Sequence, residues 1–589
     1  MTVRPRAKSM RGSTSGPATR GGRRALWWCV AASSVIAFGQ GAWIWTHRMV
    51  GAFDPDEAGY LATSLRFART FSVVHPYDFV YSVGATGTGP LVPLLSAPLV
   101  MIGPRDPRMA MMIQPVLAVV SALAVSAIAR RFTSDAVAVV AGVAYATLPA
   151  VLLATQSYWF GLGTATALLV ATWALLASDR GRGRGIWWFG VALGAMLLVR
   201  TMALGFAPGL VLGAALLVEP TRRGFLRLGG AIAIAAAIAG PWWIVGWDAI
   251  FGYLVSYGYG PRAGLFGSGG PLDRLAFRFD RIISSIGIDL YAWAAVAATI
   301  GVSLAIVRRV RRVRRAGGGG RLRSWWGSDA FREATVIVVI ASGGLAALVS
   351  TSNNGVWFEL PIVALVVVLG AIGVSHAPRP VRWALVVPVV GTAAVHLAVA
   401  WWLVGPDTKG VDVVASNTLT GTHYEAGFAQ YDERFATARR PAGTRAAAQW
   451  RRANSAIERE LRAIYDDRDG AVEFTMSGNM QLMNSNSVTL AAELRGWSPP
   501  IFIPDTALGR AERARSLSRW ATDAAGNRKT VGDGRPVERV LLVGLHDHIL
   551  FTPDAAVAEF AQEARRSGWR PVARIALPGG GAVEVLVRG

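Results

Sequence analysis

Three carboxylates fall within four residues at Asp54, Asp56 and Glu57, in the stretch Phe53-Asp54-Pro55-Asp56-Glu57-Ala58-Gly59-Tyr60-Leu61. They follow directly on a long apolar run, and acids at a membrane boundary are costly to desolvate, which makes them the first place to look for function. Pro55 suits the first position of a helix with Asp54 as its cap, and acids in a first turn complement the helix dipole. Capping accounts for Asp54 better than for all three. If the helix runs from Pro55 toward Phe71, Asp56 and Tyr60 stand four apart on one face, with Thr63 and Ser64 close by. A carboxylate presented there can act as a general base or, with Glu57, hold a divalent cation such as Mg or Mn.

These residues need a scaffold, and the composition says which kind. The chain has 589 residues, 52% hydrophobic and only 16% charged, with 22 Trp, a mean hydropathy of +0.38 and a net charge of +23. Neither a disordered chain nor an ordinary soluble enzyme fits, whereas lipid-facing helices with interfacial Trp do. A criterion of roughly 20 apolar residues per crossing, relaxed to about 17, marks eleven spans near 25–46, 109–129, 135–153, 161–177, 186–203, 204–218, 228–246, 284–307, 334–350, 356–374 and 383–404. The first is too long for a signal-peptide core and more spans follow it. Arginines gather in alternate connections, at 130–131, 180–184, 222–227, 308–323 and 379–382, on the same side as the basic tail 1–24. The positive-inside rule then puts the N-terminus in the cytoplasm, and an odd number of spans puts the segments 47–108, 247–283 and 405–589 outside. The eight arginines of 308–323 read as a topology signal that meets anionic lipid, not as a nucleic-acid surface. With one cysteine, Cys29, no disulfide forms within the chain.

Beyond residue 405 the apolar runs shorten to strand length, at 471–475, 500–503, 540–545, 572–576 and 582–587, with helical patterns at 445–465, 487–495 and 553–567. Such alternation predicts a small α/β domain with a largely parallel sheet. His546-Asp547-His548 would then lie at the carboxyl edge of that sheet, where ligands bind.

Asp56-Glu57-Ala58-Gly59-Tyr60 after the first span, Gly89-Pro90-Leu91 with Leu94-Leu95, Met101-Ile102-Gly103, the Gly-rich 190–201 and Gly240-Pro241-Trp242-Trp243 together resemble a family. Over about 25–404 the chain is similar to the C-type membrane glycosyltransferases, in particular the protein O-mannosyltransferases and aminoarabinose transferases, which use polyprenyl-phosphate sugars. The resemblance implies that Asp56 activates the acceptor hydroxyl with support from Glu57, and that the partners are membrane lipid, a polyprenyl-phosphate sugar donor, and a glycan, glycolipid or protein acceptor. The chain departs from the family's Lys-Pro-Pro-Leu loop, having Thr88-Gly89-Pro90-Leu91, and so lacks the lysine expected to meet phosphate. Arg200, where relatives commonly have lysine, is a substitute that can hold a phosphate through two donors; a salt bridge to a loop acid such as Asp56 is the alternative. Arg262 and Arg278, beside Tyr253, Tyr257 and Tyr259, are further candidates for the donor, as is Tyr60. His75, Asn353, Asn354 and Glu359 could meet proton or sugar, or equally serve as turn and cap residues. Three lysines among 60 basic residues fit a GC-rich, actinobacterial genome, and an outward α/β tail able to hold a polymer favours a cell-envelope polysaccharide or glycolipid as acceptor.

The sequence thus predicts a polytopic α-helical protein of the plasma membrane, N-in/C-out, with a C-terminal extracytoplasmic α/β domain, acting as a glycosyltransferase of hexosyl or pentosyl type. A transporter or flippase of lipid-linked intermediates, and an inactive scaffold for envelope assembly, are the alternatives. A transporter should place ionisable groups near the bilayer midplane or show repeated halves, and this chain does neither in its sequence.

Overall fold

The computed structural model describes residues 20–48, 53, 55–84, 86–260, 263, 269–286, 329–353, 355, 357–398, 400–401, 445–467, 472–477, 483–497, 538–545, 561–578 and 580–588. The protein is mostly helical. α1 (Arg20–His47) leads to three helices in the connection that follows it, α2 (Pro55–Thr70), α3 (Pro76–Gly84) and α4 (Leu91–Ile102). The short α5 (Pro107–Met111) runs on into α6 (Ile113–Ala129). α7 (Asp135–Ala146) and α8 (Pro149–Thr155) are two arms of one segment bent by 56°, where Pro149 removes a backbone donor. α9 (Gly161–Leu176), α10 (Gly185–Val199), α11 (Ala207–Leu217), α12 (Arg222–Val245), α13 (Trp247–Gly258) and α14 (Pro271–Ile286) follow. α15 (Asp329–Ser350), α16 (Leu360–His376) and α17 (Arg379–Ala398) complete the bundle.

Among the described residues five helices are long and apolar enough to cross a membrane, or six with the bent pair, and shorter apolar helices lie among them. The expected spans recur as helices except 284–307, most of which lies outside the described residues. One boundary differs in an informative way. The sequence divides 186–203 from 204–218 by hydropathy, whereas the helix actually ends at Val199, and a 3-10 turn (Thr201–Phe206) leads into α11. On α1, Trp27 and Phe38 are 71% and 80% exposed, an apolar surface suited to lipid rather than water. One continuous core fills the bundle. At one end, Arg131 pairs with Glu333 at 2.5 Å, Arg182 pairs with Glu219, and Arg227 donates to the Gly181 and Arg182 carbonyls at 3.1 and 3.0 Å. The connections after α9 and α11 are thereby tied together, and the connection after α6 is tied to α15.

The C-terminal region forms α18 (Arg445–Asp467), β1 (Val472–Ser477), α19 (Ser485–Leu494), β2 (Glu538–Leu545), β3 (Trp569–Ala576) and β4 (Ala582–Arg588). The strand order is β1-β2-β4-β3, with only β1 and β2 parallel. The expected largely parallel sheet is thus corrected to a mixed one. β3 and β4 are joined by a turn too short for a crossover, with Gly580 and Gly581 at positive φ, so they must pair antiparallel. The segments 500–503 and 546–548 lie outside the described residues.

This domain docks on α2 through α19. Leu490 enters the main bundle core, and Asn486 Nδ2 donates to the Pro55 carbonyl at 2.7 Å. Gly59 lets the two helices approach, since a Cβ there would lie 3.0 Å from Asn486 Nδ2. Glu493, fully buried, accepts from Arg66 Nε at 3.0 Å and Arg69 Nε at 3.2 Å. Glu493→Ala would leave both guanidinium groups at the interface without their acceptor. It is expected to cost about 2–3 kcal/mol, seen as a lower melting temperature and faster proteolytic release of the tail domain in membrane discs.

Candidate functional site

The site is built around the first turn of α2, where adjacent acids have opposite fates. Glu57 is 2% exposed, ion-paired with the equally buried Arg48, and accepts from the Tyr158 backbone N–H at 2.7 Å. It therefore ties the end of α1 and the break between α8 and α9 to α2. Tyr158 adds a second tie, its hydroxyl lying 2.6 Å from both Ser64 and Ser96, which joins α2 to α4. Tyr60 points the same way as Glu57: it is buried and stacks on Phe160 with centroids 4.0 Å apart. Asp56 instead is solvent-accessible. Protein atoms on most sides thin its hydration and push its carboxyl above the ordinary aspartate range, and the Arg200 guanidinium partly opposes that shift.

Arg200 is presented by the interruption between α10 and the 3-10 turn, where its backbone is extended at φ −160° and ψ 145°. Gly89 braces this interruption from behind. A Cβ there would overlap the Val199 carbonyl and the Arg200 amide nitrogen, so only glycine permits the contact. The Arg200 guanidinium lies 4.4 Å over the Phe358 ring, is 7% exposed, and its Nη1 has no hydrogen-bond partner among the described residues. The hydroxyl of the adjacent Thr201 is also buried without one. Tyr253 on α13 lies beside both Arg200 and Asp56. Burial, then the Asp56 charge, pushes its phenol up, so it stays protonated.

A third wall comes from 351–359. Trp357 holds a left-handed φ of 65°, unusual for so large a side chain, and this turn presents Phe358 to Arg200. Arg278 is fully buried, with Nη1 2.5 Å from Glu359 Oε1 and Nη2 2.6 Å from the Asn353 carbonyl. Asn353 itself donates to the Tyr257 carbonyl at 2.9 Å and accepts from the Gly355 N–H at 2.9 Å. Three residues expected to touch donor or sugar are thus bonded to one another and to backbone, building the wall that carries Phe358.

His75 is exposed in the turn after α2, where its N–H bonds Ser72 Oγ at 3.1 Å. Asp56 sits at the other end of that helix, about 20 Å away along the axis at 1.5 Å per residue. The structure does not bring the two together. Asp54, Arg262 and Asn354 lie outside the described residues. Of the expected cation pair, Glu57 is turned into the core by Arg48 and the Tyr158 N–H, while Asp56 stays accessible. Sequence reasoning passed over Thr201 and Phe358 as site residues and used Tyr253 only as a neighbour of the loop arginines. The first adjoins Arg200 in sequence, but the other two reach it only through tertiary packing.

The fold is similar to that of two solved proteins, ArnT and the arabinofuranosyltransferase AftD. The backbone is similar to that of ArnT from Cupriavidus metallidurans, solved both bound to undecaprenyl phosphate and in the apo state, each with 14% identity, a TM-score of 0.51, and coverage of 95% of this chain and 98% of that one. It is also similar to the arabinofuranosyltransferase AftD from Mycobacteria, with 15% identity and a TM-score of 0.51; there 96% of this chain matches 40% of the longer protein. No protein-family model and no curated protein matches the chain.

Two substitutions probe this arrangement. Glu57→Gln removes the carboxylate charge that pairs with the buried Arg48 and is expected to cost about 2–3 kcal/mol, measured by thermal unfolding in membrane discs. Gly89→Ala forces the Val199–Arg200 peptide to move. A displacement of about 1 Å at a reacting group can cost about 100-fold in rate, so turnover should fall far more than the melting temperature.

Proposed function

We propose that this protein moves a sugar from a polyprenyl-phosphate donor to an acceptor hydroxyl at the extracytoplasmic face of the plasma membrane, with Asp56 as general base. The observation that carries this reading is the pairing of an accessible carboxylate, Asp56, with a buried arginine, Arg200, whose Nη1 is unpartnered. A buried cation with a free donor is a site awaiting an anion. The similarity to ArnT bound to undecaprenyl phosphate supports a lipid phosphate as that anion.

The chemistry follows from the two charges. Asp56 removes the proton from the acceptor hydroxyl as its oxygen bonds to the anomeric carbon. The bond from that carbon to the phosphate oxygen breaks, and the phosphate leaves with the electron pair. Arg200 and Thr201 meet the charge that develops there, in surroundings where water competes little. Attack and departure on opposite faces invert the anomeric centre. Asp56 needs its proton affinity raised, but not so far that it stays protonated; burial raises it and Arg200 restrains it. Glu57 acts through position alone, fixing the first turn of α2. The acceptor we favour is an envelope glycan or glycolipid, because the tail domain is docked on the helix that carries Asp56.

The test supplies the purified protein in membrane discs with a panel of polyprenyl-phosphate pentoses and hexoses and follows release of polyprenyl phosphate. Asp56→Asn should lower turnover by about 100-fold or more without lowering the melting temperature; undiminished turnover would remove the proposed base. Transfer of lipid across the bilayer with no donor consumed would establish a transporter instead. The pH dependence gives a second check. The active form is the ionised carboxylate, so turnover is lost as pH falls through a pKa above the ordinary aspartate range. Arg200→Gln removes the opposing charge and should move that acidic limb to higher pH, besides weakening donor binding.

A further inference from the structure

The tail domain contains a groove of about 610 Å³ between the first half of α18 and the turn joining β3 to β4. Its wall is strongly basic. Arg451, Arg452 and Arg459 come from α18, and Arg495 enters from the end of α19. Arg452 and Arg459 are seven apart, two helical turns, and so stand on one face with Ser455 and Ala456 between them. Among the described residues only Arg495 has an acidic partner, the buried Glu458. Among the described residues no carboxylate pairs with Arg451, Arg452 or Arg459. Elsewhere in this domain Arg565 pairs with Glu584 and Arg539 with Glu473, while Arg570 and Arg574 stand singly on β3; what sets the groove apart is that its arginines are gathered on one wall. Like charges lining one concavity repel one another, and although solvent screens these exposed side chains, their summed field favours an anion in the groove.

We infer that this groove is a binding site for an anionic envelope glycan, one bearing carboxylate or phosphodiester groups, and that it holds the acceptor of the transfer reaction at a distance from the acceptor hydroxyl. The shape favours a glycan over a membrane surface. The arginines line a concavity rather than a flat face, its floor adds Ile575, Ala576 and Leu577 against which sugar rings can lie, and Gln449 and Ser455 offer hydrogen bonds. Its place also fits. α19 runs from Asn486, bonded to Pro55 beside Asp56, to Arg495 at the groove, a rise of about 14 Å at 1.5 Å per residue. An extended glycan of a few residues spans that interval. An acceptor anchored at its charged part would present its hydroxyl at high effective concentration to Asp56.

The role as acceptor site rests on the proposed transferase activity; the binding itself does not. The test therefore measures binding first. Full-length protein in phosphatidylcholine discs is titrated with a short oligogalacturonate, with a neutral maltooligosaccharide of equal length, and with vesicles containing phosphatidylglycerol. The acidic oligosaccharide should bind saturably and more weakly as salt rises, the neutral one should not bind, and Arg452→Gln/Arg459→Gln should weaken binding about tenfold or more with an unchanged melting temperature. Equal binding of the neutral and acidic sugars, unaltered binding by the variant, or an effect of the variant seen only with phosphatidylglycerol vesicles would overturn the inference, the last in favour of a lipid-facing patch. In the transfer assay the same variant should raise KM for an acidic acceptor while leaving acceptor-independent donor hydrolysis intact. Loss of that hydrolysis in Asp56→Asn reports on the base separately, so the two readings fail independently.

Discussion

The carboxylate of Glu57, buried between the Arg48 guanidinium and the Tyr158 N–H, is the contact on which the site depends. It joins the end of α1, the first turn of α2 and the break after α8, three pieces of chain that no local preference would bring together. Its consequence for the neighbouring residue is geometric. Consecutive side chains on a helix diverge by about 100°, so once Glu57 faces the core, Asp56 must face away from it. A pair that looks like a double acid in sequence is, in space, one buried anchor and one accessible carboxylate.

The arginines divide in the same manner. Arg278 is satisfied by Glu359 and the Asn353 carbonyl, and its worth is structural, since removing either partner would strand a buried charge. Arg200 lies on an aromatic face with a donor left over. It is held there by an interrupted helix, a glycine that permits close backing, and a strained turn at Trp357. Backbone irregularity inside a membrane protein is tolerated where protein or a cavity surrounds it, and here it is spent on aiming one cation.

Much of this was legible in the sequence. Hydropathy located the helices, because lipid demands apolar length, and the Pro55 start of α2 followed from proline's fixed φ. Asp56, Glu57 and Arg200 stood out in the sequence through the cost of charges near lipid, and the structure places Asp56 and Arg200 within electrostatic reach of each other. Their division of labour was not, because the partners of Glu57 are 9 residues away in one direction and 101 in the other. The helix break at Arg200 was hidden since apolar residues continue across it and hydropathy reports composition, not hydrogen bonding. Gly89 appeared as a departure from a family loop, and only the packing shows that it lies against the Val199–Arg200 peptide. In the tail, the mixed sheet escaped because strand order is set by connection length, and the turn between β3 and β4 was read only as a gap between two strands.

The docking of α19 on α2 makes the tail domain part of the same device, since the hydrogen bond from Asn486 falls on the peptide that precedes Asp56. The claim at the centre of this account is that Arg200 receives the leaving phosphate while Asp56 waits across from it. The most direct measurement is a cryo-electron microscopy map of the protein in membrane discs with polyprenyl monophosphate bound. The account predicts phosphate density within hydrogen-bond distance of Arg200, close to Thr201, with the Asp56 carboxylate facing the same space. Phosphate held by other residues, with Arg200 still lying on Phe358 and out of its reach, would contradict it.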